Sequence, residues 1–181
     1  QILTEQKKSR ILIVDDVPKN LQVLGNILQA EECDVAMATN GMHALKIIED
    51  VLPDLILLDI MMPKLDGFEV CKKLKDDPKT IDISVIFITA KTETEDIVKG
   101  FQLGAVDYVI KPFNASELLA RVRTHLELKR SREAQKELIS KLQKALADVK
   151  LLSGLIPICA SCKMIRDDKG YWNKLEAYIQ R

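Results

Sequence analysis

Four apolar runs in this chain each end in a polar residue, and that pattern limits the folds open to it. Ile11-Leu12-Ile13-Val14 leads into Asp15-Asp16, and Leu55-Ile56-Leu57-Leu58 leads into Asp59. Val85-Ile86-Phe87-Ile88 leads into Thr89-Ala90, and Val109-Ile110 leads into Lys111-Pro112. Short, continuously apolar runs of this kind are expected of strands buried on both faces, as in a parallel sheet. In an open parallel sheet the carboxyl ends of the strands lie side by side, and ligands bind in the crevice outside them. Three carboxylates, a hydroxyl and an ammonium are therefore expected to converge.

The segments between the runs carry helical periods. Leu21, Leu24, Ile27 and Leu28 follow Pro18, a residue suited to a first helical turn. Ala44, Leu45, Ile47 and Ile48 mark a second helix, and Phe68, Val70, Cys71 and Leu74 a third that ends before Pro78. Ile97, Val98 and Phe101 mark a fourth, ending near Gly104. Asn114 with Glu117 three residues later reads as a capping pair that opens a fifth. With strands at 10–15, 34–38, 54–59, 83–89 and 106–110, the alternation predicts an α/β, doubly wound, five-stranded parallel sheet. The flavodoxin-like order 2-1-3-4-5 fits this length and places the ends of strands 1 and 3 together.

From Ala115 to about Leu152 there is neither Pro nor Gly, so the fifth helix is expected to run on past the sheet as an extended C-terminal helix. Leu128, Leu138, Leu142, Ala145, Val149, Leu152 and Ile156 follow alternating three- and four-residue steps, with Ser131 and Gln135 in two weaker slots. A helix of ~38 residues is ~57 Å long, too long to bury that stripe against one small domain. A parallel two-stranded coiled coil, and hence a homodimer, is the simplest partner.

Lys plus Arg equals Asp plus Glu at 27 each, so net charge points to no polyanionic partner, and no basic recognition helix stands out. No apolar run approaches the roughly 18–20 residues that span a bilayer. The four cysteines are too few and scattered for a disulfide scaffold, and a cytoplasmic location is the expectation.

The pocket residues suit a hard cation and a phosphoryl group. Mg²⁺ prefers oxygen ligands, and Asp15, Asp16 and Asp59 supply them. Beside a metal and Lys111, Asp59 stays ionised and can act as a nucleophile toward phosphorus. Thr89 and the backbone amide of Ala90 can donate to phosphoryl oxygens. A lone Asp after a strand is usually a helix cap and a lone Lys-Pro usually a turn. Four such signals at four adjacent strand ends are not explained that way.

At these residues the chain resembles the receiver domain of bacterial two-component response regulators. The likeness covers about 9–128 and rests on the Asp15-Asp16 run, on Asp59-Ile60-Met61-Met62-Pro63 with Asp66-Gly67, on Thr89-Ala90, and on Gly104 to Phe113. The resemblance implies that Asp59 accepts a phosphoryl group from a histidine kinase or phosphotransfer protein. It implies that Asp15, Asp16, Asp59 and the Met61 backbone carbonyl hold Mg²⁺, and that Thr89 and Lys111 bind phosphoryl oxygens. It implies a cis Lys111-Pro112 peptide, and a switch in which Thr89 moves toward the phosphoryl group and Tyr108 rotates inward. The face affected is the fourth helix, fifth strand and fifth helix. There Glu93, Asp96, Lys99, Asp107, Arg121 and Arg123 offer charges of both signs, suited to a symmetric contact.

Met61 and Lys91 stand where the family sets the lifetime of its aspartyl phosphate. Met61 cannot orient an attacking water, so a lifetime of minutes to hours is expected. On these grounds the protein is expected to be a phosphoacceptor rather than an enzyme. A haloacid-dehalogenase-like phosphatase also uses an aspartyl nucleophile, but needs a second Asp two residues on, where this chain has Met61. A phosphate-independent scaffold would not need Asp15, Asp16, Asp59, Thr89 and Lys111 together.

Beyond the helix segment 129–153, residues 154–181 change character. Cys159 and Cys162 form a Cys-x-x-Cys, half of a four-ligand zinc site, and no further His or Cys follows before Arg181. A truncated zinc-binding module, a redox pair and a structural accident are the three readings. No thioredoxin-like fold fits the redox one. The stretch resembles a short module found after receiver and sensory domains, in which a second Cys pair follows. Two chains could pool their thiolates into one site.

Overall fold

The computed structural model describes residues 8–29, 31, 33–90, 94–153, 159, 161–166 and 172–174. The chain divides into two units, Gln1–Ser131 and Arg132–Arg181.

In the first unit β1 (Ser9–Val14), β2 (Cys33–Ala38), β3 (Leu55–Asp59), β4 (Ser84–Thr89) and β5 (Asp107–Ile110) alternate with α1 (Pro18–Leu28), α2 (Gly41–Asp50), α3 (Gly67–Asp76), α4 (Thr94–Gln102) and the start of α5 (Ala115–Ser153), a helix that belongs to both units. The strands form one parallel sheet in the order β2-β1-β3-β4-β5. This is the expected order, with strand ends shifted by a residue or so. The central strands β3 and β4 are buried along their whole length, and β1 nearly so. Edge strand β2 is mostly half-buried or exposed, which explains its weaker apolar signal.

Side chains alternate between the two faces, as a strand's period of two requires. Ile11, Ile13, Leu55, Leu57, Ile86 and Ile88 pack with Leu21, Leu24 and Leu28 of α1 and Leu118, Val122 and Leu126 of α5. Leu12, Val14, Ile56, Leu58, Val85 and Phe87 pack with Ala44 and Ile48 of α2 and Phe68, Val70 and Leu74 of α3. Each fully buried Leu or Ile contributes roughly 1.5–3 kcal/mol, so the sheet is a rigid platform for what lies at its edge.

Register places the functional edge. Val14 pairs with Leu58, so Asp15 and Asp59 are the next residues along neighbouring strands. Thr89 pairs with Ile110, and Lys111 N–H donates to Thr89 O at 2.8 Å. The loop after β3 is tied down by Gly67 N–H donating to Ile60 O at 3.0 Å. Asp66 caps α3 through a full capping box with Glu69: its carboxylate accepts from the Glu69 N–H at 2.8 Å, and its own N–H donates to Glu69 at 3.1 Å.

Two expectations at α5 are corrected. Asn114 caps the helix by accepting from the Ser116 N–H at 2.8 Å, but Glu117 does not complete a box. Its carboxylate instead takes the Arg121 guanidinium at 2.9 Å, a charge-assisted bond stronger than one to a neutral amide. Arg123 does not join the α4–β5–α5 face. It pairs with Glu31, in the turn between α1 and β2, at 2.7 Å.

Helix α5 is 39 residues long. Lys129 near the end of its first-unit portion pairs with Asp54 at 2.8 Å, and Arg130 donates to Ser9 Oγ at 2.8 Å. Of the expected stripe, Leu128, Leu138 and Leu142 are exposed, and Ile139 and Leu146 widen it. Val149 and Leu152 by side chain, and Ile156 altogether, lie outside the described residues.

In the second unit, β6 (Ile165–Arg166) and β7 (Trp172–Asn173) pair as an antiparallel hairpin. None of the helices among the described residues is long and apolar enough to cross a membrane.

Candidate functional site

Asp15, Asp16 and Asp59 come together at the carboxyl edge of the sheet, each offering an oxygen within 4.8 Å of the others. Asp15 and Asp59 are buried, and Asp16 is more open to solvent. Lys111 reaches across from the end of β5, with Nζ 2.8 Å from Asp15 Oδ2 and 2.8 Å from Asp59 Oδ2. The other Asp59 oxygen, Oδ1, faces the Met61 N–H at 3.2 Å. Thr89 is buried at the end of β4, and Ala90 follows it, exposed. The Lys111-Pro112 peptide is cis, as expected.

The electrostatics follow from this packing. Burial pushes the Asp59 carboxyl above the usual carboxylate range, and Asp15 adds repulsion in the same direction. The Lys111 bond and charge and the Met61 N–H offset part of that rise. Burial draws the Lys111 ammonium down, but its two carboxylates outweigh burial and hold it above an ordinary lysine. With all three acids ionised, Lys111 neutralises one charge and leaves two, on hard oxygen donors set close together. That donor set fits a small divalent cation such as Mg²⁺, which is bound by carboxylates and keeps several waters.

One contributor was not anticipated from the sequence. Asn20, in the first turn of α1, places Nδ2 3.0 Å from both Asp15 oxygens, and the Val17 N–H donates to Asp15 Oδ1 at 2.9 Å. Outer partners of this kind orient a metal-binding carboxylate. The signal available was an amide side chain one helical turn beyond an Asp-Asp pair.

Tyr108 is half-buried on β5, its ring edge-to-face with Phe101 at 5.9 Å between centroids. Beside it is a pocket lined by Ile60, Phe87, Thr89, Gly100 and Ala105. Asp107 next to it accepts from both Arg121 at 2.8 Å and His125 at 3.1 Å. Lys99 lies 4.4 Å over the Phe68 ring. Lys91 and Glu93 lie outside the described residues.

This pocket on this sheet order matches known proteins. The family profile described as the response regulator receiver domain matches residues 11–123. The chain belongs to the response regulator receiver family. The DNA-binding response regulator MtrA of Mycolicibacterium smegmatis is 41% identical over 133 residues, which are 74% of this chain and 56% of MtrA. The response regulator PleD of Caulobacter vibrioides is 42% identical over 156 residues, 83% of this chain and 34% of PleD. The chain thus spans between about a third and just over half of these relatives' length.

Among solved structures, a CheY-like receiver domain protein from Methanospirillum hungatei superposes with a TM-score of 0.65 at 30% identity. That match covers 69% of this chain and 98% of the other. A response regulator from Chloroflexus aurantiacus gives 0.64 at 34%, covering 67% and 99%. The receiver is the phosphate-accepting module of two-component signalling, and response regulators obtain that phosphate from histidine kinases.

Proposed function

We propose that Asp59 of this receiver accepts a phosphoryl group from a histidine kinase or phosphotransfer protein in a Mg²⁺-dependent reaction, and stores it. The observation that carries the reading is the placement of the Asp59 carboxylate. Oδ2 is held by Lys111 at 2.8 Å, while among the described residues Oδ1 meets the longer contact from the Met61 N–H at 3.2 Å.

Oδ1 attacks phosphorus. The P–N bond of a phosphohistidine breaks, its electron pair leaves with the imidazole, and that imidazole takes a proton from solvent. The product is an acyl phosphate on Asp59. Asp15, Asp16, Asp59 and the Met61 carbonyl are the groups that would hold Mg²⁺, whose charge would offset that of the phosphoryl oxygens. Lys111 and Thr89 bind those oxygens, with the Ala90 amide as a further donor.

Met61 supports storage over turnover. Its side chain is 58% exposed beside the site and offers neither an acid nor a base for hydrolysis. The pocket between Thr89 and Tyr108 supports an inward movement of the tyrosine once Thr89 is drawn toward phosphate. Asp107, Arg121 and Lys99 lie on the face this would alter. The exposed apolar residues of α5 support a homodimer through that helix. The balance of 27 basic against 27 acidic residues favours protein partners over direct contact with nucleic acid, which needs concentrated Lys and Arg. We place its action in the cytoplasm, where its phosphodonors would meet it.

The test is incubation of the chain and an Asp59→Asn variant with a small phosphodonor, with and without Mg²⁺. The reading predicts one added phosphoryl group on the wild type, only with Mg²⁺, and a changed oligomeric equilibrium on sizing. No mass gain on the wild type, or equal gain on the variant, contradicts it.

A further inference from the structure

Cys159 and Cys162 are not explained by the receiver chemistry. Among the described residues, neither joins a packed core cluster, whereas Cys71 and Cys33 do. Cys71 is buried in the core, and burial pushes its thiol up to about 11. Cys33 is half-buried, and burial raises it as well. A thiol disfavoured as thiolate is a poorer metal ligand and nucleophile than an exposed one. Cys162 is exposed and Cys159 only partly covered.

The backbone folds around the Cys159 sulfur. Cys159 N–H donates to Met164 O at 2.8 Å and Lys163 N–H donates to Cys159 O at 2.9 Å, closing a tight turn that leads into β6. Lys163 has φ 57°, in the left-handed region that a non-glycine residue adopts at some cost. Within that turn the Cys162 N–H points at Cys159 Sγ, 3.5 Å away. An amide aimed at sulfur stabilises thiolate over thiol.

Two sulfurs three residues apart on a hairpin knuckle, one of them receiving a backbone N–H, match the ligand spacing of thiolate zinc sites. We propose that Cys159 and Cys162 are two thiolate ligands of a Zn²⁺ ion, presented by this knuckle as half of a tetrahedral site. On binding, each sulfur forms a bond to the metal and each thiol that was protonated releases its proton to solvent. No oxidant or reductant enters. The two remaining positions take the same two thiolates from a second copy of this chain, which completes four sulfur ligands.

The probe is Co²⁺, added to the reduced, metal-free chain. Cobalt held by the carboxylates of the receiver gives no sulfur-to-metal charge-transfer band, so that band reports the cysteines alone. The expected result is a band that saturates, is displaced by Zn²⁺, and is lost in both Cys159→Ser and Cys162→Ser. The urea midpoint of the receiver should be unchanged in both variants, which shows that the fold survives. Native mass spectrometry then gives the stoichiometry: one metal per two chains supports the site shared with a second copy, and one metal per chain overturns it. A wild-type chain without the band, or a band that persists in either variant, overturns the proposal.

Discussion

Adding one methyl group at Gly67 should damage both stability and chemistry. Gly67 opens α3 directly behind the Asp59 backbone. A Cβ there would lie 2.3 Å from Asp59 O, 2.8 Å from Ile60 Cα and 3.0 Å from Asp59 C. All three obstacles are backbone, so no side chain can swing aside. Restoring ordinary contact requires a shift of roughly 1 Å in the loop after β3 or in the start of α3. Overpacking of this kind costs about 1–3 kcal/mol, and the gain of Ala over Gly in a helix returns about 0.5–1 kcal/mol. A net loss centred on ~1 kcal/mol, and at most ~2.5, moves a urea midpoint down by about 0.5 M, and at most ~1.3 M, for a slope near 2 kcal/mol/M.

The same shift displaces the Asp59 carboxylate from its 2.8 Å contact with Lys111. A 1 Å misplacement of a reacting group can cost about 100-fold in rate. Gly67→Ala should therefore accept phosphate from a small donor about 10- to 100-fold more slowly. Gly25→Ala is the control. Its Cβ would meet only Met37 Cε, at 2.4 Å, the end of a flexible side chain that is 41% exposed and free to move. That variant should be as stable as wild type or slightly more so, with normal phosphorylation. If Gly67→Ala matched wild type in midpoint and rate, or Gly25→Ala were equally impaired, the argument from backbone obstruction would fail.

Three further outcomes can be checked. Asn20→Ala removes the amide that holds both Asp15 oxygens, and Mg²⁺ affinity measured by titration should fall by about 10-fold or more. Asp107→Asn loses the Arg121 pair and should cost about 1 kcal/mol at neutral pH. Burial pushes the Asp107 carboxyl up, but bonds from Arg121, the Tyr108 amide and His125 bring it net below the ordinary value. A depressed carboxylate stabilises fully above the unfolded value of about 3.9, and that stability is lost as pH falls through the folded value. The gap between wild type and Asp107→Asn should thus be constant at neutral pH and close in acid, as followed by urea midpoints. The phosphorylated wild type, left with Mg²⁺ and no phosphatase, should persist for minutes to hours by phosphate release, and decay within seconds would refute the role given to Met61.

The sheet was legible because β3 and β4, buried along their whole length, and β1, nearly so, read as unbroken apolar runs, and because register alone carries Asp15, Asp59, Thr89 and Lys111 to one edge. What escaped the sequence depends on direction around a helix. Arg123 follows Val122, which faces the sheet, and that one-residue step turns it toward Glu31 rather than toward the α4–β5–α5 face. Glu117 had two candidate partners at helical spacing, and the charged one prevailed. Asn20 was missed because its role follows from where the first turn of α1 aims an amide, not from any spacing typical of ligands. The N–H···S contact at Cys159 is likewise a matter of backbone conformation, invisible in the letters Cys-x-x-Cys.

The central claim is that phosphate is stored on Asp59, and trapping tests it most directly. Borohydride reduces an aspartyl phosphate to homoserine and so marks the acceptor permanently. After treatment with phosphodonor and Mg²⁺, peptide mass spectrometry should find homoserine at position 59 and unmodified Asp at 15 and 16. Homoserine at position 15 or 16, or none at any of the three, would contradict the account.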